Sequence, residues 1–447
     1  MWEWVDVVTC YTDRNVKDMQ ETKEKIKSSK GILRYWDDLG PGLTTGAADD
    51  DPSGIATYSQ TGSQYGYYFL WLAVFTFPLM GIVQEMCARL GLVSGRGLAA
   101  NIRLHFPKWI LYSTAFLLFA ANTFNLGADL GAMAEATRLI APNIPFALLV
   151  VVFAIVILLL QIFISYAKYA RVLKYLTLVL LAYILTAGFV NINWSQVVLH
   201  SLVPQIRFDF DQIYIVTAIL GTTISPYLFF WQTSQEIEEE ILEGKKTLKA
   251  RQVTSVADIS RMRKDVWTGM FVSNVVMFFI IAVCAASLFE NGITNISSAK
   301  DAAEALRPLA GNAAYLLFTI GIIGTGALAV PILAGSASYA ISESMGWKEG
   351  LYRNFKEAQA FYGVIAVAMV LGLLMNFIGI NPIKALIYSA VANGLLAPLA
   401  LVMIVILSGK KQVMGEFKNN KIQAGLGWLV TGVMFLASGA TIVSFFF

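Results

Sequence analysis

Three consecutive carboxylates, Asp49, Asp50 and Asp51, stand directly before Pro52, Ser53 and Gly54 in a stretch otherwise apolar enough to cross a bilayer. A carboxylate at mid-bilayer costs roughly 2.5–3.5 kcal/mol on insertion scales and is retained where a cavity or a cation offsets that cost. Pro52 and Gly54 interrupt the helix at the same point, which frees backbone carbonyls to act as further oxygen ligands. Carboxylate and carbonyl oxygens beside an unwound helix make a site for a hard cation. Asp51 is the first candidate ligand; its competing role is a structural cap on the half-helix that follows. Adjacent helical residues point about 100° apart, so the three carboxylates do not share one direction. At Asp49 and Asp50 two roles stay open: contact with the ion or its water, or drawing cations into an aqueous path by their field.

The span that holds these residues is one of many. The chain has 447 residues, 57% hydrophobic and 14% charged, with a mean hydropathy of +0.62. Soluble domains carry about 25% charged residues, so an all-α polytopic membrane protein is expected. About eleven spans fall near 39–63, 68–93, 109–139, 145–166, 171–193, 211–237, 264–289, 312–343, 357–379, 382–408 and 423–446. Residues 1–38 read as a cytoplasmic N-terminal arm, rich in Lys and Glu and without the apolar core of a signal peptide. Basic residues alternate between loops. Lys23, Lys25, Lys27, Lys30 and Arg34 precede span one, Arg96, Arg103 and Lys108 follow span two, and a run from Lys245 to Lys264 follows span six. The intervening loops carry almost none, which predicts a cytoplasmic N-terminus and an extracellular C-terminus in the cell membrane. Cys10, Cys87 and Cys284 show no metal spacing and are expected to be free thiols.

The helix break recurs. Span six is interrupted at Gly221-Thr222-Thr223-Ile224-Ser225-Pro226. Spans one and six open two five-helix blocks, about 39–193 and 211–408, with an extra helix at about 423–446. Because five is odd, the second block enters from the opposite side. Inverted repeats with broken helices at matching positions mark a midplane transport site. An ordinary proline kink is the alternative at each break.

At these residues the chain resembles a known family. The run Gly40-Pro41-Gly42-Leu43-Thr44-Thr45-Gly46-Ala47-Ala48-Asp49-Asp50-Asp51-Pro52-Ser53-Gly54-Ile55-Ala56-Thr57 is similar to the first-helix motif of the Nramp divalent-metal transporters, GPG…DPGNxAT. Gln84-Glu85-Met86-Cys87-Ala88-Arg89-Leu90-Gly91-Leu92-Val93-Ser94-Gly95-Arg96 resembles that family's second-helix signature, and Gly221–Tyr227 falls on its sixth-helix motif, usually GATxMPH. The resemblance covers essentially all eleven spans. It implies the LeuT-type inverted-repeat (5+5) fold, with helices 1 and 6 broken and alternating access around a divalent metal ion between them. A monomer in the lipid bilayer is expected, with no cofactor and no nucleic acid. No Ser-His-Asp set, HExxH or nucleotide loop points to an enzyme.

The departures from the family pattern carry the substrate. The resemblance implies a metal held by a first-helix Asp and Asn, a sixth-helix Met sulfur and an Ala carbonyl there. The matching positions here are Asp51, Gly54, Ser225 and Thr222. Thioether selects softer metals, whereas carboxylate, carbonyl, hydroxyl and water suit Mg²⁺, Ca²⁺ and Mn²⁺. With Gly54 and Ser225 replacing larger side chains, a wider, wetter pocket is expected. It suits a partly hydrated Mg²⁺, which sheds water reluctantly, with Mn²⁺ also accepted. Carbonyls near Ala48 and Thr222 are candidate ligands because unwound segments leave them unpaired. The Ser225 hydroxyl is expected to take the ion or its water rather than bond back to its own helix. Thr223 is a lesser candidate, and Tyr227 is a further one that either hydrogen-bonds a hydrated ion or only packs.

The family's two sixth-helix histidines fall at Tyr227 and Gln232, and the chain's own His105 and His200 are expected in loops. No imidazole is then left inside the membrane to titrate near neutral pH. Asp129 matches the family's acidic proton-path residue, with a structural ion pair as its alternative, and Asn122 falls where many members carry Glu. Losing most of the relay suggests transport uncoupled from protons, as the resemblance to the Nramp-related magnesium transporters implies. The competing readings are proton-coupled Mn²⁺, transition-metal or Al³⁺ transport, a sodium-coupled organic solute carrier, and a channel. Asn393 in span ten either faces the site or packs. Glu85 and Arg89 read as a local i,i+4 pair, and Glu236–Glu240 as a solvated cytoplasmic loop.

Overall fold

The computed structural model describes residues 35, 36, 38–205, 210–294, 296, 299–379 and 381–444. The expected N-terminal arm up to residue 34, with Cys10 and its basic residues, lies outside the described residues. A compact unit begins at Pro41.

Within that unit the described secondary structure is helical. Span one is two helices, α1 (Pro41–Asp49) and α2 (Pro52–Tyr65). They are followed by α3 (Leu70–Ser94), α4 (Leu98–His105), α5 (Lys108–Ile140) and α6 (Phe146–Phe163). Span five opens with α7 (Tyr166–Leu176) and continues through short α and 3₁₀ turns to Phe189. After α8 (Trp194–Leu202), span six is again two helices, α9 (Phe210–Thr223) and α10 (Pro226–Leu242). The remainder comprises α11 (Val256–Ser287), α12 (Ala299–Met345), α13 (Gln359–Met375), α14 (Pro382–Gly409) and α15 (Lys421–Ser444). Among the described residues nine helical segments are long and apolar enough to cross a membrane. The broken first span and the 17-residue α13 supply counterparts for the rest of the eleven predicted spans.

Two expectations need correction. The Glu236–Glu240 run is not a loop: it lies on α10, and Glu236, Glu238 and Glu240 are buried. Buried carboxylates require donors, and Glu238 finds them across the chain in the Tyr339 hydroxyl and the amides of Leu351 (2.7 Å) and Tyr352 (3.0 Å). His105 and His200 lie on the short helices α4 and α8 rather than in loops. Glu85 and Arg89 form the expected i,i+4 ion pair at 3.7 Å, within a wider network. The closer partners of Glu85 are Arg263 (2.9 Å) and the Trp267 indole (2.8 Å), while Arg89 turns to Asn419 and Gln423. Cys87 and Cys284 are buried free thiols.

Packing places the first break at the centre. α11 runs along both α1 and α2, and α2 also meets α5, α9 and α14. Small residues permit the closest approach. A Cβ on Gly42 would lie 2.5 Å from the Val266 amide nitrogen, and one on Gly46 would collide with the Gly269 backbone. The Asp265 carboxylate then accepts hydrogen bonds from the Gly42 (2.7 Å) and Leu43 (3.0 Å) amides, satisfying the open N-terminus of α1.

Candidate metal site

Proline chemistry explains both breaks. Pro52 has no N–H with which to close the helical bond to Ala48, and Pro226 has none for Thr222. Hydroxyls satisfy the freed carbonyls. Tyr227 donates to the Ala48 oxygen at 2.7 Å, tying the two broken spans together. Ser225 donates to the Thr222 oxygen at 2.8 Å and to the Gly221 oxygen at 2.6 Å. The Ser225 hydroxyl thus bonds back onto its own span, contrary to the expectation that it would turn to an ion. Each carbonyl keeps a second lone pair.

Asp51 stands in extended backbone (φ −65°, ψ 169°) as the N-cap of α2. One carboxylate oxygen accepts from the Ser53 hydroxyl (2.6 Å) and the Gly54 amide (2.7 Å), the other from the Asn125 side-chain amide (2.7 Å). Asn125 is itself oriented by the Ser389 hydroxyl of α14. Neutral donors of this kind fix a carboxylate in place without neutralising it, the arrangement that outer-shell partners give a metal ligand. Gly54 faces the second break: a Cβ there would lie 3.0 Å from Thr222 Oγ1 and 3.1 Å from the Asp49 carbonyl oxygen. These oxygens line the space that a larger residue would fill.

The remaining candidates divide. Thr223 donates to its own helix at Ile219 (2.9 Å), which takes its hydroxyl away from the break. Asp49 accepts from Ser273 at 2.9 Å through one oxygen, while neither oxygen of Asp50 nor of Asp129 has a hydrogen-bond partner. Among the described residues Asp129 makes no ion pair with Lys or Arg, so the structural alternative for it fails. Asn122 donates to the Leu333 carbonyl (3.2 Å), and both side-chain polar atoms of Asn393 are buried without partners. Among the described residues no three acidic, Cys or His side chains converge as a metal cluster. Asn125 and Ser389 are missing from the residue set read from the sequence. Their signal was present, since Asn125 and Asp129 share a face at i,i+4 spacing, as do Ser389 and Asn393.

The sequence pattern of the family described as natural resistance-associated macrophage protein-like (Nramp) matches residues 42–444, from α1 through α15 and across both breaks. The chain belongs to the Nramp family. Relatives of this Nramp chain include the divalent metal cation transporter MntH of Aeromonas hydrophila, 26% identical over 407 residues (89% of this chain, 93% of the relative). The MntH of Caldanaerobacter subterraneus is 26% identical over 425 residues (92% and 93%). Among solved structures, the manganese transporter of Eremococcus coleocola superposes with a TM-score of 0.73 at 19% identity, covering 94% of this chain and 90% of that one. Mhp1, a nucleobase-cation-symport-1 family transporter, superposes with a TM-score of 0.55 at 16% identity (91% of each chain). The Nramp chain therefore has the LeuT-type fold and is a multi-pass membrane protein.

Proposed function

We propose that this protein carries Mg²⁺, and also Mn²⁺, across the cell membrane by alternating access. The ion sits partly hydrated between the α1–α2 and α9–α10 breaks, and protons are not moved with it. The cytoplasmic N-terminus and extracellular C-terminus follow from the Lys/Arg pattern. One observation carries the reading: the Asp51 carboxylate at the first break is held by neutral donors alone, and the polar atoms nearest Gly54 beside it are the Thr222 hydroxyl and the Asp49 carbonyl oxygen. Oxygen donors of this kind suit a hard dication. The names of the relatives, divalent metal and manganese transporters, support the substrate class.

The uncoupled mode rests on what stands where the family's histidines would be. Tyr227 is engaged with Ala48, and the Gln232 amide donates to Glu236 at 2.8 Å. Neither side chain titrates near neutral pH. Asp129, buried and unpaired, favours the second reading, proton-coupled Mn²⁺ uptake. Reconstituted liposomes separate the two. With Mg²⁺, Mn²⁺ and Cd²⁺ offered beside a pH-sensitive dye, Mg²⁺ and Mn²⁺ should enter without acidification. A silent Mg²⁺ trace, or acidification in step with metal entry, overturns the reading.

A further inference from the structure

A polar cavity of about 250 Å³ lies at the Lys/Arg-rich end of the bundle, away from both helix breaks. Its walls come from α4 and the residues before it, α10, the end of α12, the helical turn Leu248–Arg251 and the loop that follows α12. No residue of α1, α2 or α9 lines it. Three of the lining residues are Arg96, Arg103 and Arg251. Among the described residues none of the three forms an ion pair. Arg251 is fixed to the wall, its Nε donating to the Gly95 carbonyl (3.2 Å) and its Nη1 to the Lys246 carbonyl (3.1 Å). Arg103 lies across Gly346, where a Cβ would collide with its guanidinium.

Glu238, Glu343 and Glu349 also line the cavity, but they do not neutralise the guanidiniums by contact. Glu238 is engaged by the Tyr339 hydroxyl and the Leu351 and Tyr352 amides. Glu343 accepts from the Ser234 hydroxyl (2.9 Å) and the Ala100 amide (3.1 Å). Both carboxylates therefore serve to join α10, α12, α4 and the loop into one wall. They do not converge as a metal cluster. Guanidinium groups without carboxylate partners match phosphate oxygens in bidentate geometry. Arg96, Arg251 and the loop lie beyond Ser94, Leu242 and Met345, the last residues of α3, α10 and α12. The cavity mouth is thus on the water side of the spans. Trp347, 43% exposed, stands at that mouth and offers a flat ring on which a base can stack.

We propose that this cavity binds a soluble nucleoside triphosphate, its phosphates on Arg96, Arg103 and Arg251 and its base on Trp347. Three guanidiniums around one space suit a chain of phosphates better than a single carboxylate, because each can hold a separate phosphoryl group. The site shares no residue with the Asp51 region, so it stands whether or not the ion bound there is Mg²⁺.

Isothermal titration calorimetry of the detergent-solubilised full chain with ATP, in buffer free of divalent metal, tests this. Wild type should take up one ATP per chain. Arg96→Ala combined with Arg103→Ala should weaken binding at least about 100-fold, since each charge-assisted contact is worth about tenfold or more. Arg251 is left in place there because its two carbonyl contacts hold the wall. Trp347→Ala should weaken ATP about tenfold and leave inorganic tripolyphosphate unchanged. Wild type that takes up no ATP, or an arginine double variant that binds it as tightly as wild type, overturns the site. Tripolyphosphate bound as tightly as ATP overturns the nucleotide assignment. ATP silence with uptake of phosphatidylglycerol from mixed micelles, lost in the arginine variant, overturns the soluble ligand in favour of a lipid headgroup. Should the double variant fail to fold, Arg96→Ala alone should still cost about tenfold.

Discussion

Asp51→Asn should abolish metal flux while the protein stays folded. Asparagine caps a helix as well as aspartate does, so the bond from the Gly54 amide, 2.7 Å in the structure, has an acceptor in the variant. What is lost is the charge, and one oxygen now becomes an amide facing the Asn125 donor. Outer-shell partners of metal ligands alone cost about 10–100-fold in affinity or activity, so loss of the central carboxylate should lower flux by more than about 100-fold. Asn125→Ala, which removes such a partner, should fall in the 10–100-fold range. Asp51→Ala adds the loss of the cap, about 0.5–2 kcal/mol. Thermal unfolding beside liposome flux separates the two contributions. Asp51→Asn flux near the wild-type level would show that this carboxylate serves only as a cap.

Restoring the family's ligands should redirect the site. Gly54→Asn with Ser225→Met brings back an amide and a thioether. The thioether favours softer metals over Mg²⁺, and the added volume displaces the water that a hydrated ion keeps. Mg²⁺ flux should fall at least about tenfold relative to Mn²⁺, equivalent to about 1.4 kcal/mol, and Cd²⁺ flux should appear. The substitutions carry a structural cost that the geometry specifies. A Cβ at residue 54 meets Thr222 Oγ1 at 3.0 Å and the Asp49 carbonyl oxygen at 3.1 Å, so the threonine side chain and the α1 backbone must each give by a few tenths of an ångström. Methionine also removes the hydroxyl that satisfies the Gly221 and Thr222 carbonyls. Competition flux assays, normalised to folded protein, check the ratio. An unchanged Mg²⁺-to-Mn²⁺ ratio in folded double variant would contradict the ligand assignment.

Much of this architecture is written locally in the chain. Hydropathy and Pro52 and Pro226 locate the spans and the two breaks, because a missing N–H is a property of one residue. The fate of the carbonyls that those prolines free is not local. Whether Ala48 stays open depends on Tyr227, 179 positions away, and no pattern within either helix reveals that pairing. Asn125, which holds Asp51, likewise comes from a helix 74 positions on. The Glu236–Glu240 run reads as solvated because charge runs usually are. Its burial depends on donors supplied from α12 and the 350 region, which sequence periodicity does not show. Met133 is the remaining complication: its thioether packs against Gly326 beside the ring of Pro52, so sulfur lies near the first break.

An anomalous-difference map of Mn²⁺-soaked crystals confronts the central claim directly. The predicted peak lies between the interrupted helices, in direct contact with the Asp51 carboxylate and surrounded by oxygen alone. A peak bonded to the Met133 sulfur, or manganese found only at positions away from both breaks, would contradict it.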